Sequence, residues 1–164
     1  MTEIKRIKGG TDNCYVVANG KSAILIDTAS KPYLDKVIEE CDKYEMKLIV
    51  LTHVHFDHAE NAAELSKRYN IPVAIHKADE DDLSSYGINA KIIELPGHTL
   101  GSIGVDVEEK HLFVGDELDN WIKPGVGHLY TDFDAIKKSA DKIKSLGNRT
   151  IYYGHGKPTV KGSI

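Results

Sequence analysis

Thr52-His53-Val54-His55-Phe56-Asp57-His58 is the stretch on which the reading of this 164-residue chain turns. It ends Lys47–Thr52, an apolar run of buried-strand type, and opens a helical pattern over Asp57–Tyr69 that Pro72 closes off. Side chains at such a strand-to-helix junction can converge on one point. Two histidines two positions apart in extended backbone also project the same way. With histidine at about one position in twenty and aspartate at about one in twelve, this spacing arises by accident roughly once in five thousand histidines. Imidazole together with carboxylate suits a borderline divalent ion such as zinc.

The same kind of position recurs along the chain. His98 stands in Pro96-Gly97-His98-Thr99 after the strand pattern Lys91–Leu95, Asp116 in Gly115-Asp116 after His111–Val114, and His155 in Gly154-His155-Gly156 after Arg149–Tyr153. Three of these four strand ends carry a flanking glycine that lets backbone approach closely. Near the N-terminus, Asn19-Gly20 marks a hairpin between Asn13–Ala18 and Ala23–Asp27. Leu34, Val37, Ile38 and Cys41 share a helix face, Val73–His76 and Ile103–Val107 read as strands, and a short acidic helix is expected over Lys77–Ser84. Thr131–Leu146 is the clearest amphipathic helix, with Phe133, Ile136, Ala140 and Ile143 inward and Thr131 and Asp134 as a capping box. His76 and His111 read as half-exposed strand residues. Hairpins mixed with strand–helix units predict mixed sheets covered by helices, in one domain spanning residues 1–164.

Taken in order, Ile26-Asp27-Thr28, the HxHxDH run, PGHT, GD and GHG resemble the metallo-β-lactamase-fold hydrolases, and within them the glyoxalase-II-like branch. The resemblance covers nearly the whole chain and implies an α+β, four-layer αββα sandwich in a minimal version. It implies a binuclear site: His53, His55 and His98 around a first ion, Asp57, His58 and His155 around a second, and the Asp116 carboxylate bridging both. The implied cofactors are two divalent metal ions, zinc first, with iron or manganese as alternatives. Asp27 is expected to support the HxHxDH turn by hydrogen bonds. Thr99 and His128 are cleft candidates, Thr99 weighed against a role in satisfying its own loop. The implied activity is hydrolysis, a metal-bound hydroxide attacking an ester, thioester or lactone-like bond of an anionic small molecule, with Asp57 orienting it. The alternatives of the same fold are an iron-dependent oxidoreductase resembling persulfide dioxygenases and a nucleic-acid phosphodiesterase. An aspartate rather than a cysteine at the bridging position points away from the lactamases that use a cysteine ligand.

Three departures bear on the substrate. Only nine residues follow His155, whereas glyoxalase II carries a C-terminal helical domain that helps bind glutathione. The glycine-arginine pattern that often follows the bridging aspartate is absent from this chain, which reads Lys123-Pro124-Gly125-Val126-Gly127-His128-Leu129-Tyr130 there. The last helix that usually covers the sheet is missing, which predicts a bare apolar face and a homo-oligomer.

Composition narrows the remaining classes. A hydrophobic content of 41% excludes disorder, and 21 basic against 25 acidic residues leave a net charge of -4, with no basic face for nucleic acid. The longest apolar runs are strand-sized, so no membrane span is expected. Cys14 and Cys41 form no CxxC and read as buried free thiols, which predicts a cytoplasmic location.

Overall fold

Two long hairpin strands and a third begin the fold, the second and third buried on both faces. In the computed structural model, which describes residues 1–77, 79 and 81–160, β1 (Thr2–Gly9), β2 (Asp12–Asn19) and β3 (Ser22–Ile26) pair antiparallel. The chain then crosses over through α1 (Leu34–Cys41) to β4 (Glu45–Val50), parallel to β3. After the HxHxDH turn, α2 (Phe56–Ala59) and α3 (Ala62–Tyr69) lead to the parallel edge strand β5 (Val73–Ala74). A second sheet contains β6 (Ala90–Glu94), β7 (Ile103–Val107) and β8 (His111–Phe113). The small hairpin β9 (Leu118–Asp119) and β10 (Gly125–Val126) follows, then α4 (Phe133–Ser145) and β11 (Thr150–Tyr152), which joins β8 in parallel to give the order β11-β8-β7-β6.

The period of two in β2 and β3 divides the core into layers. Cys14, Val16 and Leu25 pack against Val37 and Cys41 of α1 and Leu65 of α3. Their neighbours Tyr15, Val17 and Ile24 point the other way and meet Ile92, Val105 and Phe113 of the second sheet. Behind that sheet, Leu112, Val114 and Ile151 meet Ala140 and Ile143 of α4. The order is helix, sheet, sheet, helix: the expected αββα sandwich. Both cysteines are free and buried. No helix among the described residues is long and apolar enough to cross a membrane.

Four expectations are corrected. The helix over Asp57–Tyr69 is two helices, because the buried Asn61 amide turns to donate to the carbonyls of Thr28, Ala29 and Ser30, clamping that loop to the break. The acidic helix expected over Lys77–Ser84 falls partly on Ala78 and Glu80, outside the described residues; among the described ones there is no helix there, since the Asp79 carboxylate accepts from the Ile75 and His76 amides and Asp82 caps a 3-10 turn at Leu83–Tyr86. At the start of α4 the cap is Asp132, whose Oδ1 accepts from the Ala135 N–H, and Thr131 Oγ1 instead donates to the Gly97 carbonyl. Finally, the outer face of the second sheet is not bare. Asp106, Leu112 and Ile151 share that face through their pairing; α4 covers the last two, and Arg149 holds Asp106 through Nε and Nη2 at 3.0 and 2.8 Å.

Between the sheets, Phe113 is edge-on to Tyr15 at 5.1 Å and stacked on Tyr152 at 4.6 Å between ring centroids. Removing a buried ring leaves a cavity that tight packing cannot close. Phe113→Ala is expected to lower unfolding stability by about 3–5 kcal/mol in urea denaturation. A loss below about 1 kcal/mol would mean that the two sheets do not share this core.

Candidate metal centre

Every chemistry-bearing residue sits just beyond the C-terminal end of a strand. Asp27 follows β3, His53 and His55 follow β4, and Asp57 and His58 form the first turn of α2. His98 follows β6, Asp116 follows β8 and His155 follows β11. These ends meet because the two sheets are tied at this edge: the Ile103 N–H donates to the Thr52 carbonyl at 2.9 Å and the Asn13 N–H to the Gly154 carbonyl at 2.8 Å. The Tyr15 hydroxyl adds a bond to the Tyr153 carbonyl at 2.6 Å.

The structure brings all seven proposed ligands together. Donor atoms of His53, His55 and His98 form one group and those of Asp57, His58 and His155 another, with all members of each within 4.8 Å of one another. Asp116 lies between them: Oδ2 is 3.8 Å from His53 Nε2, 3.7 Å from His98 Nε2 and 3.1 Å from His155 Nε2, and Oδ1 is 3.4 Å from His58 Nε2. Gly154 makes room for this carboxylate, since a Cβ there would stand 2.0 Å from Asp116 Oδ1.

The imidazoles are turned inward by what holds their other nitrogen. His58 Nδ1 lies 2.9 Å from Asp27 Oδ2, His98 Nδ1 2.6 Å from the Leu129 carbonyl and His155 Nδ1 2.9 Å from the Thr11 carbonyl. Carboxylates and carbonyls only accept, so each Nδ1 carries a proton and each Nε2 presents its lone pair to the centre when the ring is neutral. The Thr52 hydroxyl donates to Asp27 at 2.8 Å and sits 3.1 Å from His53 Nδ1, fixing a fourth ring in the same sense. Asp27 also accepts the Thr52 N–H at 2.7 Å, and it does so from a left-handed backbone at φ 58°. His53 Nε2, His58 Nε2 and Asp116 Oδ1 are buried and make no hydrogen bond. Buried nitrogen and oxygen lone pairs left facing one another fit divalent cations at this place.

The other candidates separate. Thr99 turns to its own loop, its N–H donating to Ser102 Oγ at 3.0 Å and its hydroxyl 2.9 Å from the same oxygen. His128 lines a cavity of about 260 Å³ with Asp57, His98, Asp116, Asp119, Trp121, Leu129 and His155. Trp121 stacks on His155 at 5.0 Å. His76 and His111 are half-buried and outside the centre, His111 Nδ1 lying 3.1 Å from the Tyr152 hydroxyl. Sequence reasoning missed Glu117 and Asp119, both buried: Glu117 Oε1 accepts the His98 N–H at 2.9 Å, and Asp119 holds His128. Their signal was two carboxylates flanking Leu118 directly after Asp116.

The electrostatics are those of a proton-loaded site. Burial pulls the His58 imidazole down, but the carboxylates of Asp27, Asp116 and Asp57 outweigh it and raise its pKa to about 9. His53 is driven to about 2 by burial and by the neighbouring His58 charge. For Asp116 burial pushes upward, yet the His155 bond and the His58 and His53 imidazoles hold it below the usual carboxylate range. His155 is raised, the Asp116 carboxylate overcoming the cost of burial. A cation must displace the His58 proton. Protonated His58 stabilises the metal-free fold fully below its ordinary value of 6.5, and that contribution is lost as pH rises through about 9. Zinc affinity is therefore expected to increase with pH across this window, with about one or more protons released per protein near pH 7. Calorimetry in buffers of different ionisation enthalpy measures the release; a proton count of zero would overturn the assignment.

Comparison with known proteins identifies the family. The chain is similar to a hydroxyacylglutathione hydrolase of Pelagibacter ubique, 32% identical over 149 residues, covering 81% of this chain and 61% of that protein. A Methanocaldococcus jannaschii protein described as a probable metallo-hydrolase is 28% identical, covering 90% of this chain and 89% of its own. The solved structure of TTHA1623 in a di-iron-bound form has a TM-score of 0.72 at 23% identity, covering 96% of this chain and 94% of that one, and so shares the fold. The chain spans about 60% of the length of the hydroxyacylglutathione hydrolases it matches. Residues 7–89 match the family model described as the metallo-beta-lactamase superfamily, and the chain belongs to that superfamily.

Proposed function

We propose that this protein is a metal-dependent hydrolase with a two-ion site, acting on an ester, thioester or lactone-like bond of an anionic small molecule. One observation carries the reading: a complete second group, Asp57, His58 and His155, stands beside the first, with Asp116 reaching both. A single-ion oxygen chemistry needs only the first group with Asp116 and gives no reason to assemble a second. The di-iron form of TTHA1623 supports two-ion occupancy of such a fold. The relatives lend the reaction class; because only about 60% of their length is matched, the glutathione thioester is not carried over.

His53, His55 and His98 would hold one ion, Asp57, His58 and His155 the other, and Asp116 both. Bound there, divalent ions lower the pKa of a water from about 15.7 toward about 7 and polarise a carbonyl oxygen. Asp57 orients the attacking water and takes its proton at a carboxylate oxygen, 3.6 Å from both the His58 and the His155 Nε2. Asp27 keeps His58 in the tautomer that faces the site. Two carboxylates only partly offset two divalent ions, so the centre favours a negatively charged substrate. The cavity of about 260 Å³ adjoins a groove of about 580 Å³ lined by Trp121, Ile122, Pro124 and Val126, and the two share Asp119, Trp121 and His128. Together they accommodate a compact reacting group with an apolar arm.

Protein purified without added metal is expected to contain close to two zinc equivalents by elemental analysis. His58→Ala should lose one of them and most of its turnover on a panel of esters, thioesters and lactones, with circular dichroism unchanged. About one iron per chain with oxygen consumption on a persulfide would replace this reading with the dioxygenase one.

A further inference from the structure

Among the seven candidate ligands only Asp57 comes to carry a proton, the one it takes from the attacking water, so the leaving atom has no donor of its own. The cavity beside the centre has two titratable side chains that belong to neither ligand group, Asp119 and His128. They are paired. The buried Asp119 Oδ2 bonds His128 Nδ1 and also accepts the His128 backbone N–H at 3.2 Å. A carboxylate offers lone pairs only, so Nδ1 carries a proton, and Nε2 has no hydrogen bond among the described residues. The backbone is equally constrained. Asp119 pairs with Gly125 across β9 and β10, and the Gly127 N–H donates to the Glu117 carbonyl at 3.0 Å. Gly127 lies so close that a Cβ there would meet the Asp116 carbonyl oxygen at 2.1 Å, which seats the next residue, His128, beside the bridging aspartate.

We propose that the Asp119–His128 pair is the proton donor to the leaving group, and that the substrate is an alkyl ester or lactone rather than a thioester. This rests on the hydrolytic reading above. Water oxygen adds to the acyl carbon while its proton passes to Asp57. The carbon–oxygen bond then breaks, its electron pair goes to the leaving oxygen, and the proton on His128 Nε2 joins that oxygen. Solvent restores the His128 proton and takes the one from Asp57, so the net reaction is ester plus water giving acid plus alcohol. The Asp119 carboxylate holds Nδ1, which leaves Nε2 as the ring nitrogen that gives its proton to the leaving oxygen. An alkoxide is a poor leaving group without a proton, whereas a thiolate departs unaided; a dedicated donor therefore selects the oxygen substrates.

The test is the dependence of kcat on leaving-group pKa across aryl and alkyl esters of one acyl group, using zinc-loaded protein. Wild type is expected to show a shallow dependence. His128→Gln should steepen it, costing about 100-fold on the alkyl ester and only a few-fold on the aryl ester, with KM and zinc content held. Asp119→Asn should fall between the two. Equal losses on both esters, or a loss confined to KM, would make His128 a binding residue and overturn the proposal alone. A wild type that cleaves thioesters far faster than alkyl esters would overturn the substrate assignment. A wild type inert to every ester and thioester would bring down the hydrolytic reading itself.

Discussion

Inward-facing imidazole lone pairs and carboxylates cannot share a nearly dry corner of a protein without a positive charge between them. In the metal-free chain that charge is the proton on His58, held by three carboxylates; in the proposed working state it is a pair of cations. Much of the structure around the centre maintains this unfavourable arrangement. Four of the five rings are turned by an acceptor on the far side: Asp27 for His58, Thr52 for His53, the Leu129 carbonyl for His98 and the Thr11 carbonyl for His155. These acceptors come from four separate segments, so the centre's geometry records how those segments are packed.

That packing depends on the seam between the sheets. Main-chain bonds from Asn13 to Gly154 and from Ile103 to Thr52 join strand ends that belong to different sheets, and the Tyr15–Phe113–Tyr152 ring cluster fills the space beneath them. Core and centre are thus coupled: slack between the sheets would separate His53 and His58 on one side from His98, Asp116 and His155 on the other. The Asn61 clamp works the same way within one sheet, fixing the left-handed turn at Asp27 against the helix break that carries His58.

The candidate ligands could be picked out because the information is local. HxHxDH packs four donors into six residues, and the remaining three each end a strand whose apolar run is plain. Asp27 was legible for the same reason, as the end of the first hairpin. What could not be read is whatever depends on backbone atoms or on distant pairing. The carbonyls that orient His98 and His155 belong to Leu129 and Thr11, and a carbonyl has no side-chain identity to recognise. The break at Asn61 is invisible to helical periodicity, because its cause is a set of carbonyls some thirty residues earlier. The hairpin of β9 and β10 has two residues per strand, too few to alternate, so the partnership of Asp119 with His128 lay hidden in a stretch that read as loop.

This division has a mechanistic meaning. The residues that would hold cations lie on rigid strand ends, whereas the residues that would meet the rest of a substrate, Trp121, Ile122, Val126 and His128, lie on the excursion between β8 and α4. Such a stretch can change without disturbing the sheets, which lets one scaffold serve different substrates. Here the separation is incomplete. Leu129, next to His128, turns the His98 ring, and Glu117, two residues before Asp119, holds the His98 backbone N–H. Any rearrangement of the excursion therefore pulls on His98, a member of the first candidate ligand group. Substrate contacts made by the excursion would be linked to the candidate metal centre through His98, so the side of the cleft that carries His128 is the part of this fold least free to vary.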